Sequence, residues 1–383
     1  NIFFCHISLY YIYIDKMKSY LSFEKDIKVL EEELEKLKDP YNKKGISEVN
    51  TAKISEMQTE IDEKLKLTYK NLNAWQVTQI ARHEERPKAK FIIENIFTNF
   101  INLSGDRKFS EDASVLAGFA QLDDQSVLVI GQEKGDDLES RLKRNFGMMR
   151  PEGYRKCIRL MKLANKYNIP VISFIDTPGA YPGIGAEQRG QAEAIASSIE
   201  CCMSLEVPII SIIIGEGGSG GAIALASANK VLMLENAIYS VISPEGCASI
   251  LWRDPSKSLE AAKAMKLTAN ELLKINIIDE IITEPVGGAH RDKNKIIFSI
   301  KSILLKNLEE FKNYTREEVY NHRQEKFLNI GKEKSFSLFS DKKFNLIEKI
   351  NFLTFSLKFF IKYKKNLIII SFIVFIGVLF LIK

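Results

Sequence analysis

Two glycine-rich stretches carry the residues whose types and spacing could do chemistry. The first is Asp176-Thr177-Pro178-Gly179-Ala180-Tyr181-Pro182-Gly183, which follows the apolar run Ile169–Ile175. The second is Gly215-Glu216-Gly217-Gly218-Ser219-Gly220-Gly221-Ala222, which follows Pro208–Ile214. Neither contains a Ser-His-Asp set or a paired-carboxylate constellation of the kind acid–base hydrolysis needs. What they supply is backbone. Residues without Cβ let amide N–H groups come close to a ligand, and an array of such donors stabilises negative charge as it develops on an oxygen.

The elements that must position these amides follow from periodicity. Pro208–Ile214 alternates hardly at all and is rich in isoleucine, the pattern of a strand covered on both faces. The glycines after it read as a tight turn, and Ile223-Ala224-Leu225-Ala226 as the first turns of a buried helix. Ile169–Asp176 reads as a second buried strand ending in the Pro- and Gly-rich turn, and Ala186–Leu205 as the helix between the two strands. Strand, helix and strand with short connections form a β-α-β unit with parallel strands, so both glycine-rich turns face one crevice at the same sheet edge.

Upstream, Ser114–Leu122 and Ser126–Gly131 flank Asp123-Asp124 as a hairpin, and Pro151–Tyr167 reads as a helix. His83, inside the charged run Arg82–Arg86, reads as a surface or capping residue. Arg141, Lys143 and Arg144 read as a basic loop, either meeting phosphate or simply solvated. Phe23, Ile27, Leu30, Leu34 and Leu37, then Ile54, Met57, Ile61, Leu65 and Leu72, recur at helical spacing and predict an antiparallel helical arm. The 54 basic and 49 acidic residues give a net charge of +5, too balanced to argue for nucleic acid. Five cysteines without a C-x-x-C pair indicate neither a zinc site nor a disulfide framework, and fit a reducing compartment.

Gly215, Gly217 and Gly220 also satisfy G-x-G-x-x-G after a strand, with Glu235 ending a later strand-like run, which keeps a dinucleotide site in view. Against it, the segment from Ser219 to Asn229 is short for a first Rossmann helix and the motif lies in mid-chain.

Longer motifs reduce that alternative. Asn145-Phe146-Gly147-Met148 with Pro151–Lys156, Phe174–Gly183, Gly215–Ala222, Ser243–Trp252 and Glu284–Arg291 together resemble the alpha-subunit family of bacterial acetyl-coenzyme A carboxylase carboxyltransferases, over about residues 17–332. The resemblance implies an α/β, crotonase-like fold of repeated β-β-α units with an N-terminal helical arm. It implies transfer of a carboxyl group from carboxybiotin on the biotin carboxyl carrier protein to acetyl-CoA, giving malonyl-CoA for fatty-acid synthesis, with no metal in this chain. It also implies a beta subunit bearing a zinc ribbon, a biotin carboxylase and an alpha2-beta2 assembly. The oxyanion hole would then draw on the amides of Gly179 and Ala180 and of Gly217, Gly218, Gly220 and Gly221. Tyr181, Pro182 and Gly183 would shape the carboxybiotin pocket, with Glu187 and Arg189 flanking the crevice. Tight turns and helix packing are the alternative role for the glycines. A hydratase-like acyl-CoA enzyme and a non-catalytic scaffold subunit stay open as other functions.

The chain departs from the family pattern in places. Gln132-Glu133-Lys134-Gly135 stands where a histidine-containing loop is expected, which weakens any phosphate role for Lys134. Residues 1–16 are expected to be a leader outside the native fold, ahead of an arm over 17–73 and a carboxyltransferase domain over 74–332. Beyond lie a basic linker, 333–365, and an apolar run, 366–383, readable as a membrane anchor or as fused flanking sequence. On either reading the catalytic body is expected in the cytoplasm.

Overall fold

The computed structural model describes residues 19–38 and 51–332. The described residues up to Leu328 belong to one compact unit. The expected leader, linker and anchor lie outside the described residues.

The arm forms as its spacing predicts. Helices α1 (Lys25–Lys38) and α2 (Thr51–Lys70) bury Ile27, Leu34, Ile61 and Leu65 against one another. Arg291 fastens the arm to the body by donating to Glu31 at 2.6 Å and to Glu24 at 3.0 Å. Next come α3 (Ala74–Ala81), capped by Asn73, and α4 (Ala89–Ile96).

An eight-stranded mixed sheet follows. Strand β1 (Thr98–Asn102) is antiparallel to β2 (Val115–Leu122), which forms the expected hairpin with β3 (Gln125–Gln132). After α5 (Leu138–Lys143) and α6 (Pro151–Lys166), β4 (Val171–Thr177) lies parallel to β3. Helices α7 (Ile184–Gln188) and α8 (Gln191–Ser204) lead to β5 (Ile209–Gly218), parallel to β4. Both β4 and β5 are buried along their whole length, as unbroken apolar runs require.

Helix α9 (Ser219–Ala226) then returns the chain to β6 (Lys230–Leu234) and the short β7 (Ile238–Ser240), both parallel to β5. Helices α10 (Pro244–Trp252), α11 (Ser258–Met265) and α12 (Ala269–Lys274) precede β8 (Glu280–Ile282), parallel to β6. Helices α13 (Lys293–Glu310) and α14 (Arg316–Asn329) complete the chain's described part. Arg323 of α14 is buried and donates to the carbonyls of Leu205 and Val207 and to Asn229 Oδ1.

Four expectations are corrected. The glycines Gly215, Gly217 and Gly218 are not a turn: β5 runs through them, with Gly217 paired to β4 and β7 and Gly218 to β7, and α9 begins at the next residue. The helix expected over Ala186–Leu205 is two helices, broken where Gly190 takes φ +80°. Arg141 and Lys143 sit on a helix, not a loop, because Asp137 caps α5 by accepting from the Ser140 amide. His83 is buried rather than on the surface: its ring stacks on His290 at 3.8 Å and its Nε2 meets the Ser19 carbonyl at 3.0 Å.

A buried ion pair locks α3 and α4 to the sheet. Arg86 donates through Nε to the Ile214 carbonyl at 2.6 Å and through its terminal nitrogens to Glu284 at 3.1 and 2.5 Å. Both side chains are nearly inaccessible to solvent. Removing one partner leaves a buried charge, so Arg86→Ala is expected to lower unfolding free energy by about 3 to 5 kcal/mol, read from urea denaturation.

Candidate oxyanion site at the ends of β4 and β5

The site grows out of the carboxyl ends of three adjacent parallel strands. Just past β3, Lys134 reaches Asp176 at 2.7 Å and Glu216 at 2.8 Å. Arg82, which ends α3, donates to Glu216 at 2.6 Å and to Glu245 on α10 at 2.6 Å. Asp176 Oδ1 also accepts the Glu216 amide at 2.9 Å. Burial would raise the Glu216 pKa, but the Lys134 and Arg82 charges hold it at about 2. Burial likewise opposes the Lys134 ammonium, and the two carboxylates nevertheless raise its pKa. Glu216 and Lys134 are therefore ionised and engaged with each other at neutral pH.

Gln132, buried at the end of β3, adds a neutral brace. Its carboxamide accepts from the Asp176 amide at 3.2 Å and donates to the Gly221 carbonyl at 2.8 Å. It thereby joins the end of β4 to the first turn of α9.

On this base the two glycine-rich stretches touch. A Cβ at Gly218 would lie 2.1 Å from the Pro178 carbonyl oxygen. One at Gly221 would lie 2.6 Å from the Gly179 carbonyl carbon and 2.8 Å from the Ala180 nitrogen. Glycine at both positions is a condition of the close approach. Among the described residues the Ala180 amide has no hydrogen-bond partner, whereas its neighbours do: Gly179 N–H donates to Thr177 Oγ1 and Tyr181 N–H to the Met149 carbonyl. The N-cap of α9 is Gly218, which brings no side chain to its first amides. An unpartnered amide thus lies beside a helix N-terminus, where donors and dipole both favour negative charge.

The sequence-derived residues divide accordingly. Gly179, Ala180, Gly218 and Gly221 come together. Gly220 stands in the same turn, where an added Cβ would meet nothing nearer than Ile195 at 3.5 Å. Gly217 lies inside β5, facing the ring of Tyr239. Tyr181, Pro182 and Gly183 stand apart: the Tyr181 ring lies 4.8 Å beneath the Arg150 guanidinium, and Gly183 makes room for that ring. Arg189 is held by Glu152 at 2.9 and 3.2 Å and covers Phe109, a packing role. Glu187 is exposed on α7.

Two cavities adjoin the site. One, about 440 Å³, is charged and includes Arg82, Lys134, Asp176 and Glu216. The other, about 590 Å³, opens at Ser219 and Gly220 and is walled mostly by Ile223, Tyr239, Val241, Ile242 and Met265. Sequence reasoning missed the Arg82–Glu216–Lys134–Asp176 cluster. The available signal was that Asp176 and Glu216 are the charged residues near the ends of two mostly apolar runs. Among the described residues no group of three or more His, Cys, Asp or Glu side chains is placed to hold a metal.

The fold and site define an α/β protein with a mixed sheet whose two glycine-rich stretches meet at the ends of adjacent parallel strands. The chain belongs to the acetyl co-enzyme A carboxylase carboxyltransferase-like family, whose model matches residues 20–331. It is 71% identical over 301 residues to the acetyl-coenzyme A carboxylase carboxyl transferase subunit alpha of Pelagibacter ubique, covering 79% of this chain and 82% of that relative. Identity to the subunit of the same name from Zymomonas mobilis is 54%, covering 79% and 95%. Among solved structures, the transcarboxylase 12S core with methylmalonyl-coenzyme A bound gives a TM-score of 0.49 at 17% identity, covering 59% of this chain and 42% of that one.

The packing makes a contrast between neighbours. Gly221→Ala is expected to cost about 1 to 3 kcal/mol, because the Gly179–Ala180 peptide must move. Gly220→Ala has room and gains helix propensity, so it is expected to leave stability unchanged or raise it by up to about 1 kcal/mol. Thermal melting of the two variants distinguishes them. Glu216, depressed to about 2 from an ordinary 4.5, contributes stability that is full above pH 4.5 and is lost as pH falls towards 2. Glu216→Gln is expected to flatten that part of an acid-unfolding profile.

Proposed function

We propose that this chain is the alpha subunit of an acetyl-CoA carboxylase carboxyltransferase. It transfers the carboxyl group of carboxybiotin, carried on the biotin carboxyl carrier protein, to acetyl-CoA, and the malonyl-CoA formed enters fatty-acid synthesis. The observation that carries this reading is the unpartnered Ala180 amide beside the uncapped start of α9. Both sit in a family whose relatives bear the carboxyltransferase name.

The residues fit the group they would hold. Carboxybiotin supplies the carboxyl and, once that has left, a basic ureido nitrogen that can take the methyl proton of acetyl-CoA. The charge gathered on the ureido oxygen is what the chain's amides are placed to receive. Ala180 N–H and the first amides of α9 donate to that oxygen, and their fixed orientation means that little reorganisation accompanies the reaction. The apolar cavity at Gly220 suits the thioether and hydrocarbon side of the fused ring system.

A beta subunit, which carries the zinc ribbon, supplies the acetyl-CoA side in an alpha2-beta2 assembly served by biotin carboxylase. The surface around the cavity supports such a partner: Val241, Ile250 and Leu251 are well over half exposed. We place the reaction in the cytoplasm, with membrane contact through residues 366–383. The free state of Cys157, Cys201, Cys202 and Cys247 supports a reducing compartment.

The hydratase-like alternative requires two working carboxylates. Asp176 and Glu216 are paired in position, but Lys134 and Arg82 occupy their oxygens, so neither is poised as an acid or base. Malonyl-CoA formation from acetyl-CoA and carboxybiotin is therefore expected only when the full chain is mixed with a beta subunit. Hydration of an enoyl-CoA by the chain alone would overturn the assignment.

A further inference from the structure

We propose that the Ser219 hydroxyl is a catalytic hydrogen-bond donor, acting with the Ala180 amide and the first amides of α9 on the oxygen that gathers charge during carboxyl transfer. The inference rests on the carboxyl-transfer reading given above and adds a side chain to a site so far built from backbone.

The backbone gives the first reason. Ser219 has φ +50°, the left-handed region that any residue with a Cβ disfavours and glycine does not. Its neighbours on both sides, Gly217, Gly218, Gly220 and Gly221, are glycines. A side chain therefore persists at the one position of the elbow where its absence would ease the backbone. Non-glycine residues held in this region concentrate at functional sites.

The hydrogen bonds give the second. Nearby hydroxyls are engaged: Ser173 Oγ donates to Ser211 Oγ at 2.7 Å, Ser198 Oγ to the Ala224 carbonyl at 2.7 Å, and Thr177 Oγ1 to the Gly179 carbonyl at 2.6 Å. Ser219 Oγ has no partner among the described residues and does not cap α9, whose N-cap is Gly218. It is exposed, whereas β5 before it is buried throughout, and it lines the apolar cavity of about 590 Å³.

The chemistry of the cavity decides what the hydroxyl does there. Gly217-Gly218-Ser219-Gly220-Gly221 satisfies G-x-S-x-G at a strand-to-helix elbow, the placement of a nucleophilic serine. Among the described residues no histidine, carboxylate or lysine lines this cavity to take its proton. Tyr239, in the wall, has its phenol pushed up to about 12 by burial and stays protonated at neutral pH. Without a base the hydroxyl keeps its proton, so it serves as a donor and not as a nucleophile.

The test uses the full chain reconstituted with a beta subunit, comparing wild type, Ser219→Ala and Ser219→Gly in malonyl-CoA formation from acetyl-CoA and carboxybiotin. Both variants are expected to lose about 10²-fold in kcat with KM for acetyl-CoA unchanged, the size seen when one oxyanion donor is removed. Ser219→Gly is expected to melt no lower than wild type, since it relaxes the elbow. Wild-type kcat in either variant would overturn the proposal, as would recovery in Ser219→Gly of what Ser219→Ala loses, which would mark a backbone role alone. No malonyl-CoA from the wild-type complex would instead defeat the carboxyl-transfer reading, and this inference with it.

Discussion

One lysine ammonium, Lys134 Nζ, lies between two carboxylates, Asp176 and Glu216, at the ends of three neighbouring strands. Three charges largely removed from water are tolerable only if each is met, and Arg82 meets the remaining negative charge and passes the chain on to Glu245 of α10. The network holds the ends of β3, β4 and β5 at one spacing. The proposed donors are built on that spacing, because their amides belong to the short stretches that follow Asp176 and Glu216.

Above the charges, approach is limited only by backbone. Gly218 and Gly221 bring Pro178, Gly179 and Ala180 to within contact of the strand end and helix start, and Gln132 braces the pair from below. A site made of peptide groups needs few functional side chains, and its precision comes from packing. The polar side chains found here hold one another, while the Ala180 amide and the exposed Ser219 hydroxyl have no partners among the described residues.

The parallel β4 and β5, the hairpin before them and the amphipathic arm were legible in the sequence because unbroken apolar runs and helical spacing report burial directly. The long ordered motifs named the family for the same stretch. What escaped was set by tertiary contact. The glycines after Ile214 look like a turn in one dimension, yet hydrogen bonds to β4 and β7 keep them in a strand. His83 sits in a charged run and is buried by residues far away in sequence, His290, which stacks on it, and Ser19, whose carbonyl meets its ring. Asp176 and Glu216 could be seen as carboxylates, but nothing local showed that Lys134 and Arg82 would neutralise them.

The central claim is that the ureido oxygen of biotin is received by backbone donors from two stretches brought into contact. A crystal structure of the full chain with its beta subunit and biotin tests it most directly. The account predicts that oxygen within about 3.2 Å of the Ala180 nitrogen and of an amide in the first turn of α9. Biotin bound with its ureido oxygen on side chains elsewhere, and the Ala180 amide still unpartnered, would contradict it.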